Sequence, residues 1–205
     1  MMKKSLILLL ALLLALVMAA LTACGAGSSE AEEGASSSSS ASGETTVIRH
    51  GEKKIPNGYQ SIPAFETENV NGDKVTNEIF ADKDVTMINF WGTFCGPCIE
   101  EMPELQALSE KLPENAQIIG VLEDVSLSDK SCLQDGLDII EDTGVTYENL
   151  LLNDSLEKFA GISQFVPTTV FVDSEGNLIG HVVIGGYVNT YIANFEDLLD
   201  GWTYE

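Results

Sequence analysis

The stretch Phe90-Trp91-Gly92-Thr93-Phe94-Cys95-Gly96-Pro97-Cys98 lies at the seam between two periodicities. Before it, Val85–Trp91 is an uncharged, β-rich run, as expected of a central strand buried on both faces. After it, Met102, Leu105, Leu108 and Leu112 recur at helical spacing and predict a helix over Cys98–Lys111. Two cysteines therefore stand where a strand ends and a helix begins. Unsatisfied N–H groups and the positive end of the helix dipole stabilise a thiolate there, so Cys95 is expected to attack at neutral pH. With two residues between them, Cys98 comes within bonding reach of Cys95 and can resolve a mixed disulfide.

Further along the chain, Ala64–Val70 and Asp73–Thr76 flank Asn71-Gly72, a hairpin signal because both positions tolerate positive φ. Gln117–Leu122 reads as a second short buried strand. Ser131–Asp142 carries Leu133, Leu137 and Ile140 at helical spacing and stops at Gly144, and Asp154 is expected to cap a short helix through Phe159. Thr168–Val172, the turn Ser174-Glu175-Gly176-Asn177 and Leu178–Ile184 form a second hairpin, followed by an amphipathic helix over Val188–Leu199. The expected order is a β-hairpin, then β-α-β-α, then β-β-α. Crossovers make strands parallel and the late hairpin adds antiparallel ones. The fold class is α/β, with a mixed central sheet flanked by helices and an N-terminal β-hairpin.

A Cys-x-x-Cys beside a βαβ pattern reads as a thioredoxin-like redox motif. Three other readings stay open at this point. A structural zinc site needs two more ligands, and Cys132, His50 and His181 are scattered without ligand spacing. An inert disulfide would close a ring so small that it constrains little chain entropy. An iron–sulfur centre needs more cysteines than are clustered here. No metal or cofactor is expected. Cys132, near a helix start, has no evident partner and is expected to pack as a small hydrophobe, with a regulatory or dimerising disulfide as the alternative.

The 205 residues suit one domain plus appendages. Lys3 and Lys4 precede an uncharged apolar run of sixteen residues, Leu6–Leu21, short for a membrane span and typical of a secretory signal. Leu21-Thr22-Ala23-Cys24 resembles the bacterial lipobox, which implies cleavage before Cys24 and lipid on its sulfur; an ordinary signal peptide or an uncleaved anchor is the alternative. The stretch 25–46 is Ser/Gly-rich and acidic, a tether with a reach of about 25 Å as a random coil. The expected organisation is a signal peptide over 1–23, a lipidated cysteine and tether over 24–59, and a folded domain over 60–205. The formal charge is −22, and removal of Lys3 and Lys4 with no acid takes it to −24. Such a surface repels nucleic acid and anionic headgroups, so neither is an expected ligand.

Asn89–Leu105, N-F-W-G-T-F-C-G-P-C-I-E-E-M-P-E-L, resembles the TlpA/ResA-like family of membrane-tethered thioredoxin-fold proteins. The matching positions are Asn89, Cys95, Cys98, Glu101, Pro103 and Leu105; Phe94 departs from the usual tryptophan but keeps an aromatic lip. The resemblance covers about residues 60–200 and includes Val166-Pro167-Thr168-Thr169-Val170-Phe171, which looks like the family's cis-proline loop. It implies that Val166 offers its backbone to an extended client beside the disulfide, with Phe94, Gly96 and Pro97 also contacting the client and Trp91 forming part of the active-site floor as well as being counted among the client contacts. Asn89 stands where ordinary thioredoxins carry a buried aspartate. An amide cannot accept the proton of Cys98, and Glu101, one turn further on, is the expected substitute, with a plain solvated acid as the alternative. Gly185-Gly186 is expected at the strand end near this loop, leaving room for a client's backbone. The resemblance implies a reductant of oxidised exported proteins, such as apocytochrome c or methionine sulfoxide reductase, recharged by a CcdA-type membrane thiol transporter and lipid-anchored outside the bacterial cell membrane. The rivals are a disulfide-forming oxidase, a peroxidase, whose Pro-x-x-x-Thr-x-x-Cys signature the loop lacks, and a non-catalytic binding module.

Overall fold

A computed structural model of the chain describes residues 59–161 and 164–204. The expected signal peptide, Cys24 and nearly all of the tether lie outside the described residues.

Val85–Trp91, strand β3, is buried at every position, as an uncharged run of Val, Met, Ile and aromatics demands. It is the middle strand of a five-stranded sheet. Ala116–Ser126 (β4) pairs with it in parallel, and Asn149–Leu152 (β5) extends that side in parallel. Thr168–Val172 (β6) and Leu178–Ile184 (β7) continue antiparallel on the other side, giving the order β5-β4-β3-β6-β7. Glu66–Glu68 (β1) and Lys74–Thr76 (β2) form a separate antiparallel pair. Their turn is closed by Asn69, whose Oδ1 accepts the N–H groups of Asn71 at 3.0 Å and Asp73 at 2.9 Å, while Gly72 adopts φ 90°.

Among the described residues, four α-helices complete the fold: Gly96–Ser109 (α1), Leu133–Thr143 (α2), Asp154–Ala160 (α3) and Val188–Leu198 (α4). Alternation along β3 sorts the core. Val85 and Met87 face Leu105 and Leu108 of α1 and Tyr191 and Phe195 of α4. Ile88 and Phe90 face the opposite layer, with Leu156 and Phe159 of α3. Each such side chain is almost wholly removed from water, worth roughly 1.5–3 kcal/mol of transfer free energy. Asn89 shares the face of Val85 and Met87, so the same alternation that builds the core aims a polar amide at α1.

The structure corrects three expectations. β5 was not anticipated: Asn-Leu-Leu-Leu is too short to show a period. β4 runs four residues past Leu122, because Glu123 and Asp124 belong to the strand rather than ending it. The cap of α3 is Asn153, whose Oδ1 accepts the Leu156 N–H at 2.9 Å, and Asp154 lies in the first turn.

β5 matters to the site because Asn149 Oδ1 accepts the indole N–H of Trp91 at 2.9 Å. Gly120 makes room for that amide: a Cβ there would lie 2.0 Å from Asn149 Oδ1 and 3.0 Å from Trp91 Nε1. Gly120→Ala should therefore expel Asn149 and orphan the buried indole N–H, lowering the unfolding free energy by about 2 kcal/mol or more. Urea titration checks this, and a change under about 0.5 kcal/mol, the size of an ordinary surface substitution, would contradict it.

Candidate active site

Cys95 is the N-cap of α1. Its backbone is extended, with φ −98° and ψ 95°, and its Sγ accepts the Cys98 N–H at 3.3 Å. Proline in the first turn of α1 suits the helix start, where no intrahelical partner is lost. Cys95 and Cys98 are joined in a disulfide, with Cα atoms 5.3 Å apart. The loop before them is tied down by Asp124, whose carboxylate accepts the Thr93 N–H at 3.2 Å and the Thr93 hydroxyl.

The Val166–Pro167 bond is cis, and the Val166 carbonyl oxygen lies 3.6 Å from Cys95 Sγ. This places the expected loop beside Cys95 Sγ. Phe94 is 63% exposed, and Gly96 and Pro97 are exposed with it, so a lip surrounds the disulfide. Of the two parts expected of Trp91, floor and client contact, the floor is the one its position fits. It is 1% exposed and packed beneath both cysteines, so it is the floor of the site and not a surface a client can touch.

Glu101 is 5% exposed, whereas its neighbours Glu100 and Glu104 are open to solvent, so the solvated-acid alternative fails. Asn89 Nδ2 donates to Glu101 Oε1 at 3.0 Å and to Thr169 Oγ1 at 3.0 Å. Tyr191 Oη lies 3.1 Å from Glu101 Oε2. Burial pushes the Glu101 carboxyl up to about 7; the Asn89 and Tyr191 hydrogen bonds pull it down, and Glu104 nearby raises it. The Tyr191 hydroxyl is pushed upward by burial and by Glu101, so it keeps its proton at neutral pH. Gly186 backs the carboxyl: a Cβ there would lie 2.9 Å from Glu101 Oε2. Gly185 lies where expected, its N–H donating to the Pro167 carbonyl at 2.8 Å. An open cleft of about 410 Å³ runs from Pro97 and Glu101 to Gly186 and Tyr187.

Cys132 is buried as expected, but it is not a free thiol, which corrects its reading as partnerless. Tyr191, Asn149 and Asp124 escaped the sequence reading. They reach the site from distant elements, and no local pattern marks them.

A five-stranded mixed sheet with a Cys-x-x-Cys disulfide capping its first helix, faced by a cis-proline loop, defines a thioredoxin-fold thiol–disulfide oxidoreductase. The AhpC/TSA family pattern matches residues 59–181, and the chain belongs to that family. Among curated relatives, thiol-disulfide oxidoreductase ResA of Halalkalibacterium halodurans is 24% identical over 148 residues, covering 66% of this chain and 73% of its own length. ResA of Bacillus thuringiensis is 28% identical over 136 residues, covering 64% of this chain and 72% of its own. Among solved structures, a DsbF homologue from Corynebacterium diphtheriae superposes with a TM-score of 0.56 at 20% identity, over 80% of this chain and 100% of its own, a likeness of fold.

The position of Glu101 gives a stability test. Its folded pKa is raised from 4.5 to about 7, so its contribution is fully present below the unfolded value and is lost as pH rises through 7. Between pH 4 and 8.5 the oxidised wild type should lose roughly 3 kcal/mol relative to Glu101→Gln. Glu123, also raised to about 7 by burial and then by Asp124, is common to both proteins and drops out of the difference. Parallel unfolding curves of the two proteins at both pH values would contradict the assignment.

Proposed function

We infer that the chain is an extracytoplasmic, lipid-anchored reductant of disulfides in exported proteins. The observation that supports the exchange chemistry in this reading is the Cys95–Cys98 disulfide at the N-terminus of α1, with Cys95 Sγ 3.6 Å from the Val166 carbonyl and a buried carboxyl one turn behind Cys98.

In the reduced protein the Cys95 thiolate, favoured by the helix N-terminus, attacks one sulfur of a client disulfide. A Cys95–client bond forms and the other client sulfur leaves as a thiolate. Phe94, Gly96, Pro97 and Val166 line the approach, and Pro167 holds the Val166 backbone toward the client. Glu101 then takes the proton of Cys98, a task suited to a group that titrates near neutrality. The Cys98 thiolate attacks Cys95 Sγ, the client leaves with its second thiol, and the disulfide seen here is restored. Two electrons have passed to the client.

The names of the ResA relatives support thiol–disulfide exchange. The signal-like start, the lipobox resemblance at Cys24 and the tether support anchoring outside the cell membrane, with the folded domain over 60–205. Anchoring favours recharging by a membrane thiol carrier of CcdA type, because partners confined to one surface meet at high effective concentration. Clients are oxidised exported proteins, with apocytochrome c and methionine sulfoxide reductase as candidates. The missing Pro-x-x-x-Thr-x-x-Cys signature in the loop before α1 sets the site apart from a peroxidase.

Cys95→Ser should abolish disulfide reduction in an insulin turbidity assay. Cys98→Ser should accumulate mixed disulfides on Cys95, in the membrane fraction, released by dithiothreitol. A Cys98→Ser protein that captures no client in cells, while Cys95 remains reactive to a small thiol reagent, would refute the resolving role.

A further inference from the structure

Tyr191 reaches the site from α4, ninety positions after Glu101, and is completely buried. Its hydroxyl lies 3.1 Å from Glu101 Oε2 and 3.0 Å from the Gly185 carbonyl oxygen. A phenol has one proton to donate, and a backbone carbonyl only accepts. While Glu101 is a carboxylate it also only accepts, so the Tyr191 proton serves one of the two oxygens and leaves the other. Once Glu101 is protonated, its own O–H donates to Tyr191 Oη and Tyr191 donates to Gly185. Oε1 keeps the Asn89 bond throughout. The two charge states of Glu101 therefore demand opposite settings of one hydroxyl.

Gly185 carries that setting onward. Its N–H donates to the Pro167 carbonyl at 2.8 Å, and the adjoining Val166 carbonyl lies 3.6 Å from Cys95 Sγ. Hydrogen bonds linked through the Gly185 backbone thus join the carboxyl behind Cys98 to the loop in front of Cys95.

We propose that Tyr191 is a positioning residue that couples the charge of Glu101 to the client-facing Val166–Pro167 loop, its hydroxyl proton turning from Glu101 to Gly185 when Glu101 takes the proton of Cys98. The proposal rests on the reading of Glu101 as that acceptor. In the step itself, the Cys98 S–H bond breaks, an O–H bond forms on Glu101, and the Cys98 electron pair forms the bond to Cys95 as the client thiolate leaves. Tyr191 changes partner and stays protonated. The Gly185 carbonyl gains a donor at the moment the client is released, so release and loop setting are linked.

Other groups face Glu101. Glu100 and Glu104 lie along α1 and Tyr187 lines the same cleft. Tyr147, before β5, is pushed upward by burial and by Glu101 and stays neutral. Thr169 bonds both Asn89 and Tyr191. All of these survive in Tyr191→Phe, which removes one oxygen, so a difference from wild type reports the hydroxyl.

The test uses the Tyr191→Phe protein with 13C-labelled glutamate, together with single-turnover resolution rates against pH on a disulfide peptide. Loss of a donor to the carboxylate should raise the Glu101 titration midpoint by about one pH unit. The acid limb of the resolution rate should move up with it, and KM for the peptide should rise several-fold. An unmoved midpoint overturns the proposal, and a raised midpoint with unchanged KM overturns the coupling to the loop. Without any change at Tyr191, the Gly185 amide proton of the wild type should titrate with the Glu101 midpoint and be flat in Glu101→Gln. An amide that is flat in both overturns the path even if Tyr191→Phe does not fold. The underlying reading is checked apart from this: an acid limb that persists in Glu101→Gln refutes Glu101 as acceptor, whatever Tyr191→Phe does.

Discussion

The Asn89 amide and the Glu101 carboxyl meet inside the protein at 3.0 Å, and that hydrogen bond ties the central strand to the helix carrying both cysteines. A buried carboxyl is costly unless each oxygen finds a donor. Asn89 serves one oxygen and Tyr191 the other, so β3 and the distant α4 must both close on α1 before Glu101 is satisfied. An aspartate in place of Asn89 would set two carboxylates against each other behind the disulfide. The neutral amide leaves one titrating acid there, and burial moves it to the range where it can exchange protons at neutral pH.

Much of the fold was legible because its central parts obey simple periods. The bounds of β3, β6 and β7 coincide with runs that could be read directly, and α4 differs by one residue. These segments are either uncharged, β-rich runs bounded by turn residues or regularly amphipathic. β5 was illegible because an asparagine and three leucines have no measurable period. The end of β4 was misread because Asp124 looks like a strand terminator, when its carboxylate is committed to the Thr93 loop.

The site divides along the same line. Cys95 and Cys98 could be found from their spacing at a helix start, whereas Glu101, Val166 and Pro167 were marked out by the family resemblance of the segments that carry them. Trp91 was expected in the floor of the site and lies there, at the buried end of β3, too deep to be the client contact it was also counted as. Tyr191 and Asn149 could not be found. Each acts through a hydrogen bond made only after the sheet has formed, and the signals that could have pointed to them are negative ones: a glycine at 120 that leaves room for the Asn149 amide, and a glycine at 186 that leaves room for the Glu101 carboxyl.

The helix N-terminus at Cys95 stabilises a thiolate and by itself favours an oxidant, whereas the Gly96-Pro97 pair and the uncharged Asn89 favour a low-potential dithiol. Which influence wins decides whether the protein reduces its clients. Equilibrating residues 60–205 with dithiothreitol buffers of defined ratio, and reading the fraction of Cys95–Cys98 disulfide by thiol alkylation and mass, measures the outcome directly. A reducing role predicts a potential near the thioredoxin value of about −270 mV. A value near the about −120 mV of a strong periplasmic oxidant, with the pair oxidised in growing cells, would contradict it.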